Sequence, residues 1–325
     1  MRRNATLCGW CSWLVLVNAG CQTAGLNFLS LIGLQKKPVS VAVVVDRPLE
    51  AAEALNPFSA YGSLQKAMSS ELGRPVAIDV CFPFQVEGGL SSGWHDLAIL
   101  TPTQYARLTS PGQLRTAAFA VDRDGQAVRP AVLIVRADSP IQQIADLRGR
   151  VVAFGPAEDA RTHYAALQLL EANGLKPSDL ALELLPLPGS LKHLPDGRAV
   201  AQSVLNQSSD AGFIDEAAWE ALPEEPARAG EPARGRLRVI SRTAALPTRI
   251  LVAGPKLDQA TFESVRAFLL AAGQKHPQAL EPLRLKGYQT TDEATLTACR
   301  ELKRVAAAAP PASEPDTPAP TMPPQ

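Results

Sequence analysis

Gly89-Leu90-Ser91-Ser92-Gly93 matches G-x-S-x-G, the pattern that exposes a nucleophilic serine at a sharp strand-to-helix turn. Its context argues against that use. A strand must precede the serine and a helix must follow. Here the segment is glycine-rich on both sides and leads into Asp96–Leu100, which itself reads as a strand. His95 and Asp96 follow at once, too close in sequence for the usual triad order. Serine hydrolysis is therefore a remote reading. The four histidines, His95, His163, His193 and His276, lack a ligand spacing such as H-E-x-x-H, so no metal is expected. G-x-G-x-x-G and the Walker A loop are missing, and no cofactor is expected.

The cysteines divide by position. Arg2 and Arg3 precede a stretch without charge from Asn4 to Gln35, mostly apolar over Thr6–Gly20 and ending in small residues. A basic start, an apolar middle and a small-residue exit read as an export signal. Cys8-Gly9-Trp10-Cys11 is a C-x-x-C, but it lies within that leader. The exit, Val17-Asn18-Ala19-Gly20-Cys21, resembles the lipobox of bacterial lipoproteins, in which the cysteine is acylated and becomes the new N-terminus. Ala19, Gly20 and Cys21 fit; Asn18 stands where the pattern prefers an aliphatic residue. An uncleaved membrane helix over Leu14–Leu34 and simple secretion with cleavage elsewhere are the alternatives. All three export the protein. Cys81 and Cys299 remain, either paired in an oxidising compartment or as two buried thiols.

Composition narrows the class. Among 325 residues, Lys+Arg is 32 and Asp+Glu is 32, giving no net charge; a broad nucleic-acid surface would need a basic excess. Aromatics are 5%, so stacking platforms are scarce. Apolar residues at 46% are ample for a globular core.

The elements that must position any site alternate. Val39–Val45, Pro75–Cys81 and Asp96–Leu100 read as buried strands, with a helix from Asn56-Pro57 to Gly73 between the first two. Further strands are expected at Ala131–Arg136, Val151–Phe154, Leu182–Leu185, Ala211–Ile214, Leu237–Ile240 and Ile250–Val252. Helices are expected at Ile141–Leu147, from about Asp159 to Asn173-Gly174, and at Arg198–Asn206, Gln259–Gln274 and Asp292–Arg304. This alternation predicts α/β architecture with parallel sheets. Pro223–Gly235 reads as a surface insertion and Pro310–Gln325 as a disordered tail.

From Val132 to Gly155 the order of features, with Asp138-Ser139-Pro140-Ile141 and Asp146-Leu147-Arg148-Gly149 as its turns, resembles the phosphate/phosphite/phosphonate-binding proteins of ABC importers. Gly174-Leu175 with Pro177, Asp210–Ile214, Leu246-Pro247 before Ile250–Val252, Gly287-Tyr288 with Thr291-Asp292, and Asp96–Tyr105 match the family in order. The resemblance spans Val39–Arg304. It implies a type II periplasmic binding protein: two α/β lobes joined by a hinge, with ligand in the cleft between them. The lobes are expected at 38–140 with 245–305 and at 141–244, after a signal over 1–21 and a linker over 22–37, and before a tail over 306–325.

The family's anion pocket is a Ser-Thr-Ser cluster at a helix N-terminus, where free N–H groups and hydroxyls bind oxyanion oxygens. The matching stretch, Pro156 to His163, lacks that cluster. Asp159 and Arg161 fall there instead. Arg161 could offer a guanidinium fork, with Thr162 and His163 as added donors; otherwise Asp159 is an N-cap and Arg161 is solvated. Loops after strands add Phe82, Phe84, Thr101, Ser190, His193 and Asp215 as cleft candidates. The resemblance implies an exported, lipid-anchored protein of the cell envelope. It would capture a small anionic solute and present it to a membrane permease, without turnover. The alternative is a degenerate binding-fold lipoprotein acting as a sensor or interaction partner.

Overall fold

The computed structural model describes residues 37–44, 57–182, 190–226, 228 and 230–308. The leader with Cys21, most of the strand expected at Leu182–Leu185 and the proline-rich tail lie outside the described residues. Among those described, no helix is long and apolar enough to cross a membrane.

Two sheets organise the unit that begins at Pro38. The first has the order β13-β4-β12-β3-β1-β2. Its strands are β1 (Val39–Val44), β2 (Val76–Cys81), β3 (Leu97–Leu100), β4 (Arg115–Asp122), β12 (Ile250–Ala253) and β13 (Leu285–Gln289). The second has the order β10-β6-β9-β7-β8, with β6 (Ala131–Arg136), β7 (Val152–Phe154), β8 (Lys192–His193), β9 (Ala211–Asp215) and β10 (Leu237–Arg242). Two short strands, β5 (Val128–Arg129) and β11 (Leu246–Pro247), pair antiparallel where the chain passes between the sheets.

The expected parallel pairing holds for β1 with β2 and β3 and for β7 with β8 and β9. It fails elsewhere, since both sheets are mixed. Returning from the second sheet, the chain inserts β12 antiparallel between β3 and β4. In the other lobe, β6 pairs antiparallel with β9 and β10. Strand β6 thus lies in the second sheet, although it precedes residue 141. Over Ile141–Leu147 only a 3₁₀ turn at Ile144–Leu147 forms.

The helices are α1 (Pro57–Leu72), α2 (Pro83–Ser92), α3 (Pro102–Arg107), α4 (Ala166–Ala172), α5 (Gly197–Leu205), α6 (Glu216–Glu220), α7 (Gln259–Lys275), α8 (Pro277–Leu280) and α9 (Glu293–Ala308). A π-helical stretch, Ala160–Ala165, runs directly into α4. One face of the first sheet packs Val41, Val43 and Ile99 against Leu64 and Met68 of α1 and Phe262 and Phe268 of α7. A second core is continuous across both lobes. It joins Leu100 and Phe119 to Leu133, Phe154 and Phe213 through Leu296, Cys299 and Leu302 of α9. Cys81 and Cys299 are both free and buried, so the disulfide alternative falls. Burial pushes their thiols up to about 11 and about 12 respectively.

Ser91 of the G-x-S-x-G match is exposed in the last turn of α2, without the strand-to-helix elbow. Gly89 is needed for packing: a Cβ there would meet His95 Cδ2 at 2.4 Å. Beside it, Ser40 Oγ donates to Asp79 Oδ2 at 2.9 Å, with His95 Nδ1 3.3 Å from the hydroxyl. That hydroxyl proton goes to the carboxylate, so the trio is not a nucleophile and its base.

Arg129, 3% exposed, sits in the crossover. Its Nε donates to Asp122 at 2.8 Å, Nη2 to Asp124 at 3.0 Å and Nη1 to Glu220 at 2.7 Å. The first two carboxylates belong to the first lobe and the third to the second. A buried guanidinium requires such partners because desolvation penalises it heavily. Arg129→Met should lower the unfolding free energy by about 3 kcal/mol, the lower end for breaking a buried ion pair, because Asp124 and Glu220 are more than half exposed. Arg136→Met, at the more exposed pair with Asp138, should cost far less, since solvent screens such a pair. Urea denaturation of both variants distinguishes a pivot from an ordinary surface ion pair.

Candidate functional site

The turn after β7 builds one wall of a cleft. Val152, Ala153 and Phe154 are buried, and Gly155 follows because the helix returns very close. A Cβ on Gly155 would stand 2.2 Å from Thr162 Oγ1. Glu158 then takes a left-handed backbone, φ 71°, which costs a residue with a side chain about 1–2 kcal/mol. Asp159 caps the helix. Its Oδ1 accepts from Arg161 N at 3.0 Å, Thr162 N at 2.7 Å and the Thr162 hydroxyl at 2.8 Å. A carboxylate suits that place, both as a cap and as a negative charge at the positive end of the helix. The backbone carbonyl of Asp159 accepts from both His163 N and Tyr164 N, so the helix opens with π geometry, which often marks a functional segment.

Two more segments complete the cleft: Thr101, Pro102, Thr103 and Arg107 at the end of β3, and Pro247, Thr248 and Arg249 leaving the crossover. Together with Pro156–Arg161 they enclose about 350 Å³, enough for a small solute. Thr101 and Gln104 cap α3 reciprocally, the backbone N of Gln104 donating to Thr101 Oγ1 at 3.2 Å and Thr101 N to Gln104 Oε1 at 2.8 Å. Glu158 is met from across the gap. The Thr103 hydroxyl donates to the Glu158 carbonyl at 3.3 Å, and Arg107 Nη2 lies 3.1 Å from Glu158 Oε1.

Arg161 and Asp215 form the inner pair of this wall, Nη2 to Oδ2 at 2.7 Å. Asp215 also caps α6, accepting from Ala217 N at 3.1 Å. Burial raises the Asp215 carboxyl, and the Arg161 guanidinium opposes that rise. The Arg249 guanidinium donates to the Thr248 carbonyl at 3.4 Å and lies close enough to Tyr61 to act on its hydroxyl, with no carboxylate paired to it among the described residues. It is the one cleft guanidinium without a carboxylate partner there.

Of the ten residues expected at the ligand, Thr101, Asp159 and Arg161 line the cleft, and Asp215 stands behind Arg161. The others go elsewhere. Thr162 is buried with its hydroxyl committed to Asp159. His163 turns into the second lobe, its Nδ1 2.9 Å from His193 Nε2, both rings against Phe154. Since His193 Nδ1 faces the Leu191 carbonyl at 3.1 Å, it is assigned that proton, and His163 Nδ1–H donates to His193 Nε2. Phe84 is 82% exposed and stacks on Phe82, ring centroids 5.9 Å apart, outside the cleft lining. Ser190, beside undescribed residues, is not part of the lining either. The helix amides expected to meet a guest are those that Asp159 already receives.

Arg107, Glu158 and Arg249 were not singled out in the sequence. No motif marks them, and each looks like a solvated surface charge until the two lobes meet. A larger groove of about 510 Å³ runs between β2 and α2 past Asp79, Gln85, Trp94 and His95. It gathers no cations and lies apart from the crossover.

Known proteins can now be set beside this geometry. The model of the family described as ABC transporter, phosphonate, periplasmic substrate-binding protein matches residues 53–296. The chain belongs to that family. Its fold is the type II periplasmic binding protein fold. XAC2383 from Xanthomonas citri, solved bound to chloride ion, superposes with a TM-score of 0.60 at 19% identity, over 83% of this chain and 99% of its own. PhnD1 from Prochlorococcus marinus, in complex with methylphosphonate, gives 0.54 at 15% identity, over 84% and 99%. The binding protein component PA3383 of an ABC phosphonate transporter from Pseudomonas aeruginosa gives 0.51 at 17%, over 84% and 87%. No curated protein matches.

The histidine pair carries a pH dependence. Burial, aided by the facing His193 ring and opposed by Asp159, lowers His163 to about 4 from an ordinary 6.5. The folded protein thus keeps it neutral where an unfolded chain would take up a proton. Its contribution to stability is whole above about pH 6.5 and is lost as pH falls toward 4, about 3 kcal/mol in all. His163→Gln should remove that part of the decline, read from urea midpoints across pH 4 to 7.

Proposed function

We propose that the protein captures a small anionic solute in this cleft and delivers it to the membrane permease of an ABC importer. The observation carrying the reading is the convergence of Arg107, Arg161 and Arg249 on one small cleft beside the crossover strands. Guanidinium forks suit carboxylate, phosphonate and phosphate oxygens. With the helix amides taken by Asp159, oxyanion recognition falls to these side chains and to Thr101 and Thr248. Lobe closure about the crossover would bury the solute. Export and acylation of Cys21 complete the reading, holding the protein at the envelope membrane without a role in turnover.

A second reading is a binding fold retained as an envelope sensor or interaction partner. The self-capped helix favours it, since the donors that would meet a phosphonate already have a carboxylate.

Protein lacking residues 1–21 should be stabilised thermally by at least one anion from a panel of phosphate, phosphite, methylphosphonate and small carboxylates. Arg249→Ala and Arg161→Ala should each weaken that binding by about ten- to a hundred-fold, the scale of a charged hydrogen bond. No stabilisation by any anion would leave the sensor reading. Mass spectrometry of protein isolated from its native membrane should find residues 1–20 missing and acyl chains on Cys21; an unmodified Cys21 would overturn the anchor.

A further inference from the structure

Glu158 reaches across the cleft from the wall that should receive the solute. Its backbone is in the left-handed region, unusual for a residue other than glycine or asparagine. Both contacts beyond its own turn come from the other lobe: the Thr103 hydroxyl on its carbonyl and the Arg107 guanidinium on its carboxylate. Arg107 also donates to the Tyr164 hydroxyl at 3.4 Å. The Glu158 and Arg107 side chains are 51% and 40% exposed, so this pair is open to water and to exchange. The Arg161–Asp215 pair is different, at 17% and 24%.

We infer that Glu158 is a tethered competitor for the solute, a carboxylate of the chain itself that occupies Arg107 and clasps the lobes until a stronger anion displaces it. The inference rests on the proposed anion-binding function and specifies its selectivity. With Glu158 in place, the lining offers Arg249 and the remaining donors of Arg161, enough for a single negative charge. A doubly charged anion gains its full complement only by taking Arg107, which requires Glu158 to leave. A competitor fixed to the wall acts at high effective concentration. The apparent affinity falls by the fraction of molecules in which Arg107 is free. Glu158 thus sets a handicap against dianions and a smaller one against monoanions.

Calorimetric titration with phosphate above its second ionisation, and with acetate, tests this on wild type, Glu158→Gln and Glu158→Gly. Glycine keeps the left-handed turn without strain and glutamine keeps the side-chain length, so the two variants separate backbone from charge. The expected result is a gain of about ten-fold or more for phosphate in both variants, a gain below about three-fold for acetate, and loss of the phosphate gain when Arg107→Met is added. Small-angle scattering of the solute-free variants should show a larger radius of gyration than wild type. Binding by wild type with unchanged phosphate affinity in both variants would overturn the inference and leave the anion-binding reading standing. Absence of binding by wild type and both variants would overturn the two together.

Discussion

The Arg129 guanidinium sits where the lobes join, and it can be buried only if carboxylates meet it there. Desolvating an arginine is costly, and the cost is offset only with its partners in register. Asp122 and Asp124 come from the end of β4, and Glu220 from the end of α6. Any arrangement of the lobes that separates these groups strands a buried charge. The interaction therefore selects the relative placement of two sheets that share only a two-residue ribbon at this point, and with it the shape of the cleft.

Short α6 carries this constraint to the site. Glu220 at its last turn meets Arg129, and Asp215 caps its first while holding Arg161 in the cleft wall. Five residues of helix thus connect the crossover arginine to the guanidinium in the cleft wall. On the opposite wall, α9 packs against α3 and the π-helical stretch, so apolar contacts continue from one lobe to the other behind the cleft.

The strands most legible in the sequence were those with continuous apolar runs: Val39–Val44, Leu97–Leu100, Ala131–Arg136 and Ile250–Ala253. Strand β4, Arg115–Asp122, escaped because its alanines carry little strand signal. Helix α2 escaped because Gly88 and Gly89 lower helix propensity, and Gly89 is there to admit His95, a contact invisible in one dimension. Asp159, Arg161 and Thr101, which the sequence places after strands, line the cleft. Thr162 and His163 turn inward, because helical periodicity alone does not tell which residues of the first turn face the cleft and which the core. The π-helical opening shifts that phase further.

The amino-acid order by itself determined the alternation of elements, the family resemblance and the loss of the Ser-Thr-Ser anion cluster, since all are local patterns. Only the tertiary structure decided that Asp159 fills its own helix end, that β6 joins the second sheet, and that Arg107, Glu158 and Arg249 share a cleft. Those residues lie far apart in the chain, and a charge becomes a partner or a competitor only when folding brings its counterpart within a few ångströms.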